Sequence, residues 1–307
     1  MSFAAIPSRK PAQFRRTASA LPRTAIALAI SLVALQASAA GFDLGNAAGF
    51  GIVSAGAGSS ITINSGPITG NVLVGDGTSV STSGGGNGQI IGLISDDGSV
   101  PMSAFAGLQT PPTPAQFVFV TPSFVVSAVA SAKAVSDYAA SLVPTLTIAG
   151  TIHNAQTFVG NGGVTVIDVT NIQNAPLTFS GGVNDFFVVN VAGNYSTNVG
   201  MTLSGVSANH VLFNFLGTSG NVFQTSGGDL SYGTYLAADG GNFQFSALKL
   251  TGSLINTAGK ISFVSNSTMT AAPLMPIMAV PEPGTYAMLL AGLGVLGFAR
   301  MRRSSER

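Results

Sequence analysis

Pro281, Glu282 and Pro283 are the residues whose types and spacing carry the most specific chemistry in this sequence. Each proline lacks a backbone donor, and each biases the residue before it toward extended backbone. The triplet is therefore an extended, helix-free segment with one carboxylate as a handle, suited to being gripped by an enzyme rather than to acting as one. Residues suited to catalysis are scarce elsewhere. His153 and His210 are far apart in sequence, each beside an apolar run, and read as turn or edge residues rather than as a base. Gly205-Val206-Ser207-Ala208-Asn209 misses the last glycine of a nucleophile elbow. Gly259-Lys260-Ile261 lacks the glycine spacing and the hydroxyl of a phosphate loop. No Glu lies between positions 40 and 280, which excludes a Glu-based hydrolase pair and leaves Asp pairs in principle. Gly85-Gly86-Asn87-Gly88-Gln89-Ile90 imitates a calcium-binding nonapeptide, with Ile90 where the ligand Asp belongs. Asp96-Asp97-Gly98 and Asp239-Gly240-Gly241 could hold calcium at a turn, or could simply make the turn. The reading is a non-enzymatic chain without cofactor, metal or catalytic residues.

The elements around the triplet explain what would grip it. Positions 284–299 run sixteen residues without a charge, and Arg300, Arg302, Arg303 and Arg307 follow. An apolar helix of this kind prefers lipid, and the arginines hold its end on the cytoplasmic side. Sixteen residues are short for a span; arginine snorkelling or extension at the N-terminal end covers the difference. At the other end, Arg9, Lys10, Arg15, Arg16 and Arg23 precede an apolar run of eleven residues at 25–35. Ala37 and Ala39 then stand at the two small-residue positions that signal peptidase reads, so positions 1–39 read as a secretory signal peptide. Arg15-Arg16 lies too far ahead of the apolar run for a twin-arginine signal, and the general secretion route is favoured.

The tail at 281–307 resembles the PEP-CTERM sorting signal of Gram-negative bacteria, whose Pro-Glu-Pro is read by a membrane-embedded exosortase. That resemblance implies that Pro281, Glu282 and Pro283 are recognition residues and that the transmembrane helix is a transient anchor. It also implies that the protein crosses the inner membrane and is then delivered to the cell surface or released outside.

The body between these segments is unusual in charge. The whole chain has 7% charged residues, 39 glycines and no cysteine, which excludes a disulfide framework. Between positions 40 and 280 nine aspartates stand against three lysines, with no arginine, leaving a net charge of −6. That argues against a nucleic-acid partner, which needs clustered basic residues. Short β-branched and aromatic runs recur between Gly, Asn, Asp and Ser turns, first over 41–94 and again over 146–269. Pro111, Pro112 and Pro114 mark a loop at 108–116. One helix is expected at about 123–143, capped by Ser123 and stopped by Pro144. Val125, Val129, Ala132, Val135, Ala139 and Leu142 would lie on its inner face, and Lys133 would pair with Asp137 outside. The strand spacing fits a sandwich or a solenoid.

Positions 43–80 (DLGNAAGFGIVSAGAGSSITINSGPITGNVLVGDGTSV) resemble the opening of the ice-binding-protein-like β-solenoid family. DFFVVNVAGNYSTNVGMTLSG, HVLFNFLG and YGTYLAADGGNFQFSALKLTGSL, within 184–265, resemble its closing coils. The related choice-of-anchor A surface proteins are similar too, and often end in a PEP-CTERM tail. The resemblance implies a mainly β fold: a right-handed, discontinuous β-helix with one α-helix packed along it. The chain departs from the family at the proline-rich stretch, and no regular Thr-x-Thr array is evident in the sequence. The expected organisation is a signal peptide at 1–39, a solenoid body at 40–270, a linker at 271–280 and the sorting and anchor segment at 281–307. Signal peptidase and exosortase are the processing partners. The body reads as a structural or adhesive surface or extracellular-matrix protein, associated with exopolysaccharide. Ice binding is the alternative, and a polysaccharide-active enzyme on a β-helix is the third reading.

Overall fold

The computed structural model describes residues 42–83, 87–228 and 230–276. The expected signal peptide, with Ala37 and Ala39, and the expected tail, with Pro281, Glu282, Pro283, Arg300, Arg302, Arg303 and Arg307, lie outside them.

The body is a stack of parallel strands arranged as three ladders, with one α-helix, α1 (Pro122–Ser141), laid along one of them. A single coil shows the pattern. Lys249–Asn256 turns a corner, so that its first half belongs to one face and its second half to the next. Lys260–Val264 forms the third face, and Thr268–Ala271 begins the first face again. We refer to these as the threonine, helix and amide faces. Mainly-β architecture with one packed helix is what the strand spacing and the family resemblance predict, and the solenoid rather than the sandwich is found.

The coils do not stack in chain order. On the helix face the sequence of strands from one pole to the other is Leu146–Ile152, Val164–Gln173, Phe186–Val191, Val211–Phe215, Leu230–Ala237, Lys249–Asn256, Ile52–Ala55, Val72–Gly75, Ile94–Asp96 and Phe117–Phe119. The first coil in sequence thus docks on the last, with Ile52 opposite Leu254 and Val53 opposite Ile255. The chain builds one pole, crosses to the other, and returns to close the seam. Helix α1 makes the crossing: Val120 bonds to Asp96 at one pole, and Thr145 to Val166 at the other. Nine steps of about 4.8 Å require about 43 Å. The 20 residues of α1 supply about 30 Å at 1.5 Å each, and the extended residues that flank the helix supply the rest. The number of coils therefore sets the length of the helix.

Burial follows from this layout. Strands under the helix are buried on both sides: in Phe186–Val191, Phe187, Val189 and Val191 enter the solenoid interior, whereas Phe186 and Val188 pack toward the helix. Such strands read as apolar runs, interrupted in Phe186–Val191 and Val211–Phe215 only by Asn190 and Asn214, whereas on the other two faces residues alternate in and out. The interior holds a column of aromatic rings, including Phe213 on Tyr235 at 4.8 Å and Phe223 on Tyr235 at 4.3 Å.

Helix α1 differs in detail from the expected segment. Its cap is Thr121, whose hydroxyl accepts from the Phe124 N–H, and not Ser123. Pro122 occupies the first turn, where a missing donor costs nothing. The buried stripe is Val125, Ala128, Ala132, Val135 and Ala139; Val129 and Leu142 are only partly buried. Three alanines let the helix lie close on Val53, Leu73, Ile255, Leu236, Leu212 and Val188. Lys133 does reach Asp137, at 3.7 Å, but lies closer to Asp239, at 2.7 Å.

Polar side chains fix where the helix sits. Asp168, Asn190 and Asn214 are successive neighbours in the ladder. Asn214 Nδ2 donates to Asn190 Oδ1 (3.0 Å) and to the Ser136 carbonyl (3.1 Å), and Ser136 Oγ donates back to Asn214 Oδ1 (2.7 Å). Asn190 Nδ2 donates to Asp168 Oδ1 and to the Ala139 carbonyl, both at 3.0 Å. Apolar packing alone would tolerate a slide of the helix by one turn; these bonds do not. The Asn214→Ala variant leaves Ser136 without its acceptor in a buried site. It is expected to lower unfolding stability by about 1–3 kcal/mol, read by urea denaturation followed by circular dichroism. An unchanged midpoint would contradict the role given to this network.

Candidate functional site

Stacking creates a feature that no single stretch of sequence contains. On the threonine face, Thr157, Thr178 and Thr202 stand in one register. Further along the face, Tyr232, Thr251, Thr270, Thr69 and Ile91 stand in another. The Met201 N–H donates to the Leu230 carbonyl and joins the two sets of strands. All six threonines are exposed or half-buried. Between them run inward residues such as Phe158, Phe179, Leu250, Met269 and Ile68, all buried in the interior cluster. Parallel pairing places successive threonines about 4.8 Å apart along the axis. Beside the ranks lie Val159, Ser180 and Ser204 at one end and Leu230, Lys249 and Thr268 at the other. Lys249 is the one ionic group that these registered positions present.

Threonine suits such a surface. Its branched Cβ restricts χ1, so its hydroxyl and methyl are held in place before any ligand arrives. The hydroxyl donates once and accepts twice. A regular array of these groups on a rigid sheet can order water without first losing side-chain freedom of its own.

The amide face is chemically different. Its outward column is Ser81, Thr62, Ser262, Gln244, Gln224, Ser196 and Gln173. Many of these groups bond to one another: Asn221 Nδ2 donates to Gln244 Oε1 (2.8 Å) and to Gln224 Oε1 (3.2 Å), and Gln224 Nε2 donates to Ser196 Oγ (2.9 Å). A shallow depression of 260 Å³ opens there, lined by Asn221, Asn242, Gln244, Lys260 and Ser262.

The remaining candidates from the sequence do not converge. His153 is exposed, and His210 sits in a short 3₁₀ turn (Ala208–His210) with Nδ1 3.1 Å from the Asp185 carbonyl. Gly259 and Lys260 lie at the start of a strand on the amide face, and Ser207 precedes that same 3₁₀ turn. The Asp96-Asp97-Gly98 turn spends its carboxylates on the backbone. Asp96 accepts from Gly98 (2.7 Å) and Val100 (3.1 Å); burial pushes its carboxyl above the ordinary range, against the pull of those donors. Asp97 accepts from Asp76 and Ser99, both at 3.1 Å; burial raises its carboxyl, but the Ser99 and Asp76 donors outweigh that and leave it lowered. Asp239 is engaged by Lys133. Among the described residues, no three His, Asp or Glu side chains gather as a metal site.

Comparison with known proteins separates body and tail. Residues 279–303 match the model of the PEP-CTERM protein-sorting motif. The chain ends in a PEP-CTERM sorting signal. That motif implies exosortase processing of an exported protein. The body is similar in structure to an ice-binding protein with antifreeze activity from an Arctic yeast: TM-score 0.52, 20% identity, covering 78% of this chain and 97% of that one. It is also similar to an ice-binding protein from the Antarctic ascomycete Antarctomyces psychrotrophicus, with TM-score 0.51, 18% identity, and coverage of 76% and 100%. No curated protein matches the sequence. At this identity the likeness establishes a shared fold.

Because the Asp-Gly carboxylates are already engaged, by backbone donors at Asp96 and Asp97 and by Lys133 at Asp239, millimolar calcium is expected to leave the thermal midpoint of the body unchanged, measured by calorimetry against a sample in EDTA. A rise of several degrees would instead assign these turns to a cation.

Proposed function

We propose that the body is an ice-binding module, exported and then handed to the envelope by its C-terminal sorting signal. The observation that carries this reading is the pair of registered threonine ranks on one face of a fold shared with ice-binding proteins. The face is nearly free of charge, so it does not hold a mobile hydration shell around ionic groups. Its threonine hydroxyls repeat at about 4.8 Å along the axis, a regular spacing on which a layer of ordered water can build. The proposal is non-enzymatic and needs no cofactor. Thermal hysteresis and inhibition of ice recrystallisation by the purified body are the expected activities. Thr251→Lys and Thr69→Lys, both on the outward rank, are expected to reduce the hysteresis several-fold at unchanged circular dichroism. Gln244→Lys on the amide face serves as the control. Equal activity in all three variants, or none in the parent, would remove the proposal.

A second reading, association with exopolysaccharide, is favoured by the amide face. Its depression between Asn221, Asn242, Gln244 and Lys260 offers amide and ammonium groups to sugar hydroxyls. Under that reading Gln244→Lys alters retention on polysaccharide, whereas the threonine variants do not.

The sorting role rests on Pro281, Glu282 and Pro283, with Arg300, Arg302, Arg303 and Arg307 as the cytoplasmic stop. Replacing the triplet by alanine is expected to trap the full-length protein in the inner membrane of its host, as seen by membrane fractionation and immunoblotting. Unchanged delivery and tail loss would show that the triplet is not what is read.

A further inference from the structure

The course of the last described residues points to one pole of the solenoid. After Thr268–Ala271 the chain leaves its ladder and runs along the corner between the threonine and helix faces. The Ala272 N–H donates to the Gly252 carbonyl (3.0 Å), Leu274 is buried in the helix-side cluster, and the Met275 N–H donates to the Asn209 carbonyl (3.0 Å). The Met275 sulfur lies 3.2 Å from His210 Nε2. In stacking order these contacts move from the coil of Lys249–Asn256 to that of Val211–Phe215 within three residues. The heading is toward the pole formed by Leu146–Ile152 and Gln156–Val159.

Chain length limits where the tail can go next. From Val211–Phe215 to that pole there remain three steps, about 14 Å at about 4.8 Å each. To the opposite pole, at Phe117–Phe119, there are six steps, about 29 Å on the same spacing. Between Met275 and Pro281 the chain can extend to at most about 20 Å. A chain of that length from Met275 can reach the first pole but not the second.

The two poles differ in charge in the same sense. The terminal coil at 143–163 itself contains no Asp, Glu, Lys or Arg, and Val143 (86%), Val159 (68%) and Leu146 (43%) are exposed on it; from the neighbouring coils, the buried Asp185 carboxylate accepts from the Gly162 N–H (2.6 Å) and Asp168 stands opposite Thr147. The opposite pole also exposes apolar groups, notably Phe119 (75%), but it carries Asp76, Asp96 and Asp97. A bilayer surface containing anionic lipid repels the exposed Asp76 and half-buried Asp97, whereas at the near pole Asp185 is buried in the turn it bonds to and Asp168 is held by Asn190. The outer edge of Leu146–Ile152 is unpaired among the described residues, and headgroup oxygens and interfacial water can take its free N–H groups.

We propose that the 143–163 pole is a membrane-facing surface that rests on the phospholipid headgroups while the C-terminal segment is still attached. This rests on the reading of that segment as a membrane anchor. The solenoid axis is then held upright, with the threonine face turned sideways and clear of the lipid.

The test uses full-length protein in vesicles of phosphatidylcholine and phosphatidylglycerol. The absence of native cysteine allows single labels at Asn154→Cys, near the proposed surface, and Ser103→Cys, at the far pole. With a quencher attached to the lipid headgroups, the probe at 154 is expected to be quenched several-fold more than the probe at 103. Val143→Asp with Val159→Asp should reduce that difference. Equal quenching, or stronger quenching at 103, would overturn the orientation. Energy transfer between copies labelled at 154 without headgroup quenching would make a second copy the occupant and overturn it as well. Protein that fails to float with the vesicles would overturn the anchoring reading and this orientation with it.

Discussion

The structure depends on the seam where Ile52–Ala55 pairs in parallel with the second half of Lys249–Asn256. The seam joins residues about two hundred positions apart and sets the register for everything on both sides. A shift of one residue there would turn Ile52 outward and Val53 inward, exchanging the interior with the helix-side core. The seam is secured on all three faces. Ser60–Ile63 pairs with Lys260–Val264 on the amide face, and Ile68–Thr69 pairs with Thr268–Ala271 on the threonine face. Helix α1 bridges the seam on the third side, with Val125 near one pole and Ala139 near the other. Such long-range pairing makes the body slow to assemble, because its first coils have no neighbour on one side until the last are made.

That dependence explains which parts of the architecture were legible beforehand. Strands such as Phe186–Val191 and Val211–Phe215 are visible in the sequence because burial on both sides demands largely apolar runs, broken here only by Asn190 and Asn214. The helix is visible because its apolar spacing changes to three and four. Its cap lies two residues before the expected one: Ser123 has the right chemistry, but Pro122 can occupy the first turn and leaves Thr121 to accept from Phe124. The threonine ranks were not legible. Thr270 finds its neighbours in Thr251 and Thr69, the first nineteen positions away and the second in a coil made much earlier in the chain. Thr268-Met269-Thr270 and Thr145-Leu146-Thr147 are local Thr-x-Thr triplets, and nothing in the sequence says which coil lies beside either.

Low charge unites the surface chemistry. An ordinary domain keeps its surface wet with lysine and glutamate, whereas this one uses hydroxyls and amides fixed by the ladder. On the amide face these groups satisfy one another, as in the bonds from Asn221 to Gln224 and Gln244. On the threonine face they remain outward and regularly spaced. The ionic groups gather elsewhere: Lys133, Asp137 and Asp239 around the helix, and Asp76, Asp96 and Asp97 near one pole. The described residues thus separate a threonine face with a single lysine, a charged flank and a pole whose terminal coil contributes no charged side chain of its own.

The central claim is that register, rather than any local motif, turns an irregular sequence into the regular threonine ranks that we propose bind ice. The most direct measurement is ice-affinity partitioning of the fluorescently labelled body during slow growth of a single ice crystal. The account predicts that the body is incorporated into the ice and enriched on particular crystal planes. Exclusion of the body into the remaining liquid, at the level of an inert protein of equal size, would contradict it.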